Sequence, residues 1–353
     1  MPYEFAFLRY SASFKTPIRT AHGLWTHREG ILVRLTAQDG VIGYGDATPI
    51  PWFGTETPDE AESFCRRLGA LVDDEALENV PGNFAALAGA FDAARKELAR
   101  LARSARTRAD QLESQGKSSS DMPAYLQVAA LLPAGKACLE KIDALADAGF
   151  RTFKWKVGVL DVPDEIGILD DLISRMPTGA KLRLDANGAW DRRKAERWLE
   201  RCAERPIEFV EQPIARDEPN VQDLTLGLAN DYPTKLALDE SIATGREVDA
   251  WLDLGWPGIF VVKPQLLGRA EATLEKLRKK KDAVVFSSAL ETAIGARAAL
   301  RLAFEFGASE RALGFGVWPL FEDSRLDGPR LAPFIRREDL DTLKPDEVWN
   351  ALS

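Results

Sequence analysis

The chain has 353 residues, 45% of them hydrophobic and 29% charged, with a formal net charge of −9. This is the composition of a water-soluble globular protein, and the length calls for two domains or one large barrel with additions. The acidic balance excludes the basic stripe expected of a nucleic-acid binder, and no apolar run approaches the roughly 18 residues of a membrane span.

The opening "MPYEFAFLRYSASFK" has no apolar core behind a basic start, so no signal peptide is read and the cytoplasm is the expected compartment. Cys65, Cys138 and Cys202 are widely spaced with no CxxC pair, which fits packing roles in a reducing compartment. "ILVRLTAQDGVIGYGDATPIP" alternates as strands do and turns at "QDG". "TPDEAESFCRRLGALV", opened by Thr57 and Pro58 as cap and first helical residue, and "NFAALAGAFDAARKELARLAR" carry helical spacing. Strands followed by helices predict an α+β domain over residues 1–120. The polar "SARTRADQLESQGKSSSD" reads as a helix tail entering an exposed connection.

From Ala124 the chain becomes a repeat of short apolar strand, turn and amphipathic helix. The strand candidates are "AYLQVAALL", "FKWKV", "LRLDA", "EFVEQ", "LALDE", "IFVVK", "AVVFSSA" and "ALGFG". Eight strands alternating with helices such as "DEIGILDDLISRM" and "DRRKAERWLERCAE" predict an α/β fold, a parallel sheet closed as a (β/α) barrel over 121–318. An open doubly wound sheet is the alternative, weakened because no GxGxxG follows an early strand.

Five ionisable residues end consecutive strands: Lys156, Asp185, Glu211, Asp239 and Lys263, each about one strand–helix unit after the last. In a barrel such positions converge on one mouth. Three successive carboxylates repel unless a cation holds them, and with no histidine or thiolate nearby they favour a hard ion, Mg²⁺ before Mn²⁺ or Ca²⁺. His22 and His27 lie outside the predicted barrel. Lys154 and Lys156 share one strand face, where burial and mutual repulsion favour the neutral form of each. A lysine so placed suits a general base removing a proton next to a carboxylate, with the metal stabilising the enediolate; this is the pairing the enolase superfamily exemplifies. Asn187 lies two residues past Asp185 on the same face, and "EQP" and "VKP" end their strands at proline. A Schiff-base aldolase using Lys263 is the reading from another class, and it leaves the carboxylates unexplained.

Together "FKWK", "LRLDANGAW", "FVEQP", "LALDES" and "VVKP" resemble the muconate-lactonising branch of the enolase superfamily, and the likeness spans nearly the whole chain. It implies a (β/α)7β modified TIM barrel behind an N-terminal α+β capping domain, with residues 319–353 folding back on the cap. "TPIRTAHGLWTHREGILVRL" and "GYGDATPIPWFGTET" resemble that branch's capping loops, although Asp46 stands where glutamate is usual. The resemblance makes Asp185, Glu211 and Asp239 the Mg²⁺ ligands, Lys156 the proton-abstracting base, Lys154 its neighbour, and Lys263 a second base or stabilising cation. "VVFSSALETAIG" is similar to the seventh-strand motif of the branch's dehydrating members. It implies substrate contacts from Ser287 and Ser288, for which a plain strand-to-helix cap is the alternative, and from Gly316, where a substrate tail could approach the backbone. The implied reaction is syn dehydration of a succinyl-hydroxycyclohexadiene carboxylate in menaquinone biosynthesis. N-acylamino-acid racemase, muconate cycloisomerase and dipeptide epimerase share the same parts. The expected partner is a small-molecule carboxylate, and either a monomer or a homo-oligomer is compatible with the sequence.

Overall fold

The computed structural model describes residues 2–20, 23–111 and 122–353. His22 and the expected domain boundary at 120 lie outside those residues. Two long antiparallel strands open the fold, β1 (Pro2–Thr20) and β2 (Gly23–Thr36), followed by β3 (Ile42–Ala47). The predicted "QDG" turn joins β2 to β3, with Thr36 paired to Ile42 and Gly40 at a φ of 80°. His27 is exposed on β2. Helix α1 (Pro58–Leu68) starts at Thr57 through a full capping box with Glu60. β4 (Leu71–Asp73) then pairs with β1, giving the sheet order β3-β2-β1-β4. After the short α2 (Asp74–Glu78), the long α3 (Ala85–Gln111) lies against β3. Their backbones touch because Gly43 and Gly45 lack side chains: a Cβ there would sit 2.2 and 2.0 Å from the carbonyl oxygens of Ala94 and Ala90.

The second unit begins with β5 (Tyr125–Gln127) and β6 (Ala130–Leu132). Parallel strands β7 (Thr152–Lys156), β8 (Lys181–Asp185), β9 (Ile207–Glu211), β10 (Leu236–Leu238), β11 (Ile259–Val262) and β12 (Val284–Phe286) follow in sequential order. The intervening helices are α4 (Cys138–Asp147), α5 (Val162–Arg175), α6 (Arg192–Cys202), α7 (Val221–Asp231), α8 (Gly245–Asp253), α9 (Ala270–Leu277) and α10 (Ala293–Phe306). Right-handed strand–helix crossovers of this kind curl a sheet until its edges meet. The edges meet here through Leu313 and Gly314, which bridge in parallel to Val128 and Ser287. The ring closes.

Two strand expectations differ from what forms. "AYLQVAALL" divides, because its first half, β5, pairs antiparallel with β13 (Phe334–Arg336) near the C-terminus. "ALGFG" contributes two bridging residues and no regular strand. A Cβ on Gly314 would meet Ser287 Oγ at 2.6 Å, and one on Gly316 would meet the Ala129 carbonyl at 2.2 Å. The closure is thus made by backbone that side chains would hold apart.

Alternation along the strands sorts the residues. Phe153, Trp155, Leu182, Leu184 and Val210 pack in one buried cluster with the helix residues Ile142, Leu169 and Leu199. The alternate positions, Lys154, Lys156, Arg183, Asp185, Phe209 and Glu211, point into the ring. The β8–β9 register skips Glu208, a bulge that turns its carboxylate to Arg183 (2.6 Å) and Arg311 (2.6 Å). All three cysteines are free and buried, as packing residues should be.

The C-terminal residues tie both units together. Phe321 bridges Phe14 of β1, and the indole of Trp349 on α11 (Pro345–Leu352) packs beside Tyr44 and under Arg34. At the seam, Asp46 of β3 accepts hydrogen bonds from the Thr292 amide (2.9 Å) and hydroxyl (2.7 Å) and from Tyr10 Oη (2.9 Å). Because Gly45 abuts helix backbone, Gly45→Ala should destabilise the protein by about 1–3 kcal/mol in urea titration. Gly167→Ala, on an open face of α5 with nothing within 4 Å of its Cβ position, should stabilise it by about 0.5–1 kcal/mol.

Candidate active site

Strand register builds the site. Lys156 pairs with Asp185 across β7–β8, and Asp185 pairs with Glu211 across β8–β9, so three charged residues stand level on neighbouring strands. Asp239 directly follows β10 and Lys263 directly follows β11. Asp185, Glu211, Asp239 and Lys263 are each less than a tenth exposed.

Lys154 Nζ lies 2.8 Å from Asp185 Oδ2 and 2.7 Å from Glu211 Oε1, and Lys263 Nζ donates to Asp239 Oδ1. The two strand lysines therefore part company, contrary to the expectation that both lean towards neutrality. Burial opposes the charge of Lys154, but Asp185, Glu211 and Asp239 outweigh it and its pKa is raised. Burial lowers the pKa of Lys156, with repulsion from Lys154 adding to it against the pull of Asp185. Face alone could not separate them; the direction of each ammonium does.

The carboxylates show the complementary strain. Burial, then Asp185 and Asp239, push Glu211 well above the usual carboxylate range, against the nearby lysines. Glu240, the next residue after Asp239, is raised by burial and by Asp239 and Asp185. A buried group of acids in this condition attracts cations. Among the described residues, no three acids converge tightly enough to share one ion as they stand, because ammonium groups of Lys154 and Lys263 serve them directly. The donor set of Asp185, Glu211 and Asp239, oxygen only, fits a hard dication such as Mg²⁺.

Several residues hold this arrangement that strand-end reasoning did not single out. Gln212, with a φ of 40°, accepts from the Asp239 and Ser241 amides through Oε1 and donates through Nε2 to Ser241 Oγ (2.8 Å), lacing the end of β9 to that of β10. Its place inside "EQP" was the available signal. Asn187 turns its backbone amide to Asp185 Oδ1 (3.1 Å) and its side-chain amide to Glu240 Oε1 (3.2 Å). Glu240 itself was hidden because it does not lie on the alternating strand face.

Above these groups opens a cavity of about 570 Å³, lined by every site residue expected from the sequence except Glu211, which lies beneath it. Its walls are largely apolar: Ile18, Trp25, Trp52 and Phe53 from the cap, and Leu131, Leu290 and Val317 from the barrel. Trp25 and Trp52 meet edge to face at 4.9 Å. Ser288 Oγ donates to Glu291 Oε2 (3.0 Å) and accepts from the Leu290 amide (2.9 Å), so it braces the turn after β12, where Leu290 has a φ of 59°. Ser287 Oγ makes one long hydrogen bond, 3.3 Å to the Gly314 carbonyl, and is the freer donor. Gly316 lines the cavity while its missing Cβ leaves room for the Ala129 carbonyl.

A barrel whose strand ends present this series, under an α+β cap, defines a class, and comparison with known proteins agrees. The Enolase C-terminal domain-like family matches residues 137–328. An o-succinylbenzoate synthase of Thermosynechococcus vestitus is 38% identical over 87% of this chain and 90% of that protein. Another from Pectobacterium atrosepticum is 28% identical over 84% of each. The crystal structure of o-succinylbenzoate synthase from Thermosynechococcus elongatus BP-1, complexed with Mg in the active site, superposes with a TM-score of 0.78. It is 34% identical and covers 99% of this chain and 100% of that one. A dipeptide epimerase from Enterococcus faecalis, 20% identical with a TM-score of 0.79 over 95% and 97%, shares the fold. The chain belongs to the enolase superfamily and lies near the o-succinylbenzoate synthases within it.

Removing the Lys154 ammonium leaves Asp185 and Glu211 buried without their nearest cation. Lys154→Met should therefore cost about 3–5 kcal/mol of stability in EDTA, measured by thermal or urea unfolding, with added Mg²⁺ recovering part of it.

Proposed function

We propose that this chain is an o-succinylbenzoate synthase, a hydro-lyase that removes water from a succinyl-hydroxycyclohexadiene carboxylate. The reading is carried by one observation: Lys156 and Lys263 flank a series of three strand-end carboxylates, of which Asp185 and Asp239 line a single apolar-walled cavity. The identity to the Thermosynechococcus vestitus enzyme, over nearly the full length of both chains, supports it.

In this reading Asp185, Glu211 and Asp239 hold Mg²⁺. When bound, the ion supplies positive charge where loss of the α-proton leaves negative charge on the substrate carboxylate. Lys156 in its neutral form removes that proton, and as an ammonium it returns the proton to the departing hydroxide on the same face, so water leaves and the ring becomes aromatic. Lys263 keeps an ammonium across the ring, where it offsets the transient anion. Lys154 holds Asp185 and Glu211 in place. The cap aromatics exclude water from the reacting carbon and raise the strength of each charge interaction. Asn187, Ser287, Ser288 and Gly316 form the polar and backbone contacts around the substrate, with Ser287 held by the longer hydrogen bond of the two serines. The product serves menaquinone synthesis in the cytoplasm.

Chelation with EDTA should abolish dehydration and Mg²⁺ should restore it; full activity in metal-free protein would overturn the mechanism. Lys156→Ala should lose dehydration and α-proton exchange into D₂O by about a thousandfold or more, the scale of a general acid–base contribution. Exchange that persisted in Lys156→Ala and vanished in Lys263→Ala would transfer the base role to Lys263. The same preparation tested on N-acylamino acids separates dehydration from racemisation as the main activity.

A further inference from the structure

One cap segment reaches the reacting centre by a route the strand-end series does not contain. Residues 50–55 form a tight turn closed by its own hydrogen bonds, Phe53 N to the Ile50 carbonyl (2.8 Å), Gly54 N to the Pro51 carbonyl (2.9 Å) and Ile50 N to Thr55 Oγ1 (2.7 Å). Such a turn docks as a unit. Behind it, Glu56 is bonded to the Ala86 and Leu87 amides at the start of α3. In front, the Phe53 ring lies over the Lys263 ammonium, 5.0 Å from centroid to nitrogen.

What binds this turn to the barrel is Arg216, on the connection after β9. Its Nη1 donates to the Phe53 carbonyl and to the Glu240 carbonyl (3.1 Å), and its Nη2 donates to Glu247 Oε1 (2.6 Å). Glu247 is itself fixed, since its other oxygen accepts from the Thr244 amide (2.9 Å) and hydroxyl (3.1 Å) in the capping box of α8. Gly54, at a φ of 89°, leaves the space the guanidinium fills: a Cβ there would lie 2.9 Å from Arg216 Nη2. One planar group therefore joins the cap turn, the residue after Asp239 and a rigid helix start. A lysine in its place offers no fixed fork to do the same.

We propose that Arg216 is a positioning residue for the dehydration, latching the 50–55 turn over the barrel mouth so that Phe53 covers Lys263 and holds its ammonium towards the substrate. Arg216 acts through Phe53 and touches no reacting atom. The kinetic part rests on the proposed function, whereas docking of the turn does not.

The test measures amide hydrogen exchange of Phe53 and Gly54 beside steady-state kinetics and Mg²⁺ titration, in the full-length protein. Arg216→Met should speed exchange at these amides by about tenfold or more and lower kcat by about 10- to 100-fold, the scale of a displaced catalytic group, with Mg²⁺ affinity within about twofold of the parent. Arg216→Lys, which keeps stem and charge, should also lose protection, placing the effect in the geometry of the fork. Phe53→Leu should keep the exchange pattern and lower kcat by about 2- to 30-fold with KM unchanged, the range of a cation–π contact. Unchanged exchange in both Arg216 variants, or lost protection with a parental kcat, overturns the proposal. A parent protein without dehydration activity overturns the proposed function instead, and the exchange measurement still decides the latch.

Discussion

The mouth of the barrel depends on one electrostatic constraint: three buried carboxylates on adjacent strands must be matched by positive charge. Taken from water alone they could not remain ionised, since desolvation and mutual repulsion both oppose it. Lys154 and Lys263 supply the match by direct contact. That duty explains why the lysines of "FKWK" are unequal. One is spent on the carboxylates and keeps its proton tightly; the other faces the cavity with its charge less supported. In the proposed reading the same three acids would hold a dication, whose charge would then face the substrate. The residues that make the site stable and those that make it reactive are thus a single electrostatic system.

The cap is part of that system. Apolar walls from Ile18, Trp25, Trp52 and Phe53 lower the effective dielectric over the mouth, which strengthens every charge interaction beneath them. The cap stays in register with the barrel through polar contacts at defined points. Asp46 bonds to Thr292, the residue capping α10, Arg216 reaches the 50–55 turn, and the C-terminal segment runs against β1 while its β13 pairs with β5. The ring closes through the bridging residues Leu313 and Gly314. Gly314 and Gly316 lack side chains where backbone approaches backbone and a serine hydroxyl.

Much of this was legible in the sequence. Alternation placed Lys154, Lys156, Asp185 and Glu211 on one face, and regular unit spacing brought Asp239 and Lys263 to the same end. Both inferences need only the pleat of a strand and the length of a strand–helix unit. The capping box at Thr57 and the "QDG" turn were equally local. Other features were illegible because they depend on partners far away in the chain. β5 left the first predicted strand because its partner, β13, lies some two hundred residues on. Glu240 and Gln212 gained their roles from non-strand backbone at strand ends, where periodicity carries no information. The bonds of Ser288 to Glu291 and from the Leu290 amide likewise follow from the turn after β12 and not from strand alternation.

By itself, then, the sequence determined the barrel, the α+β domain before it and the order of the charges around the mouth, because each follows from short-range geometry repeated along the chain, while the oxygen-only donor set indicated the kind of ion. Only the tertiary structure decided which lysine is bound to the acids, which serine braces the turn after β12, and how Arg216 joins cap to barrel. Those outcomes turn on the direction of side chains across contacts between distant segments. An ammonium that moves a few ångströms from one carboxylate to open cavity changes its proton affinity, and no spacing in a linear chain records that movement.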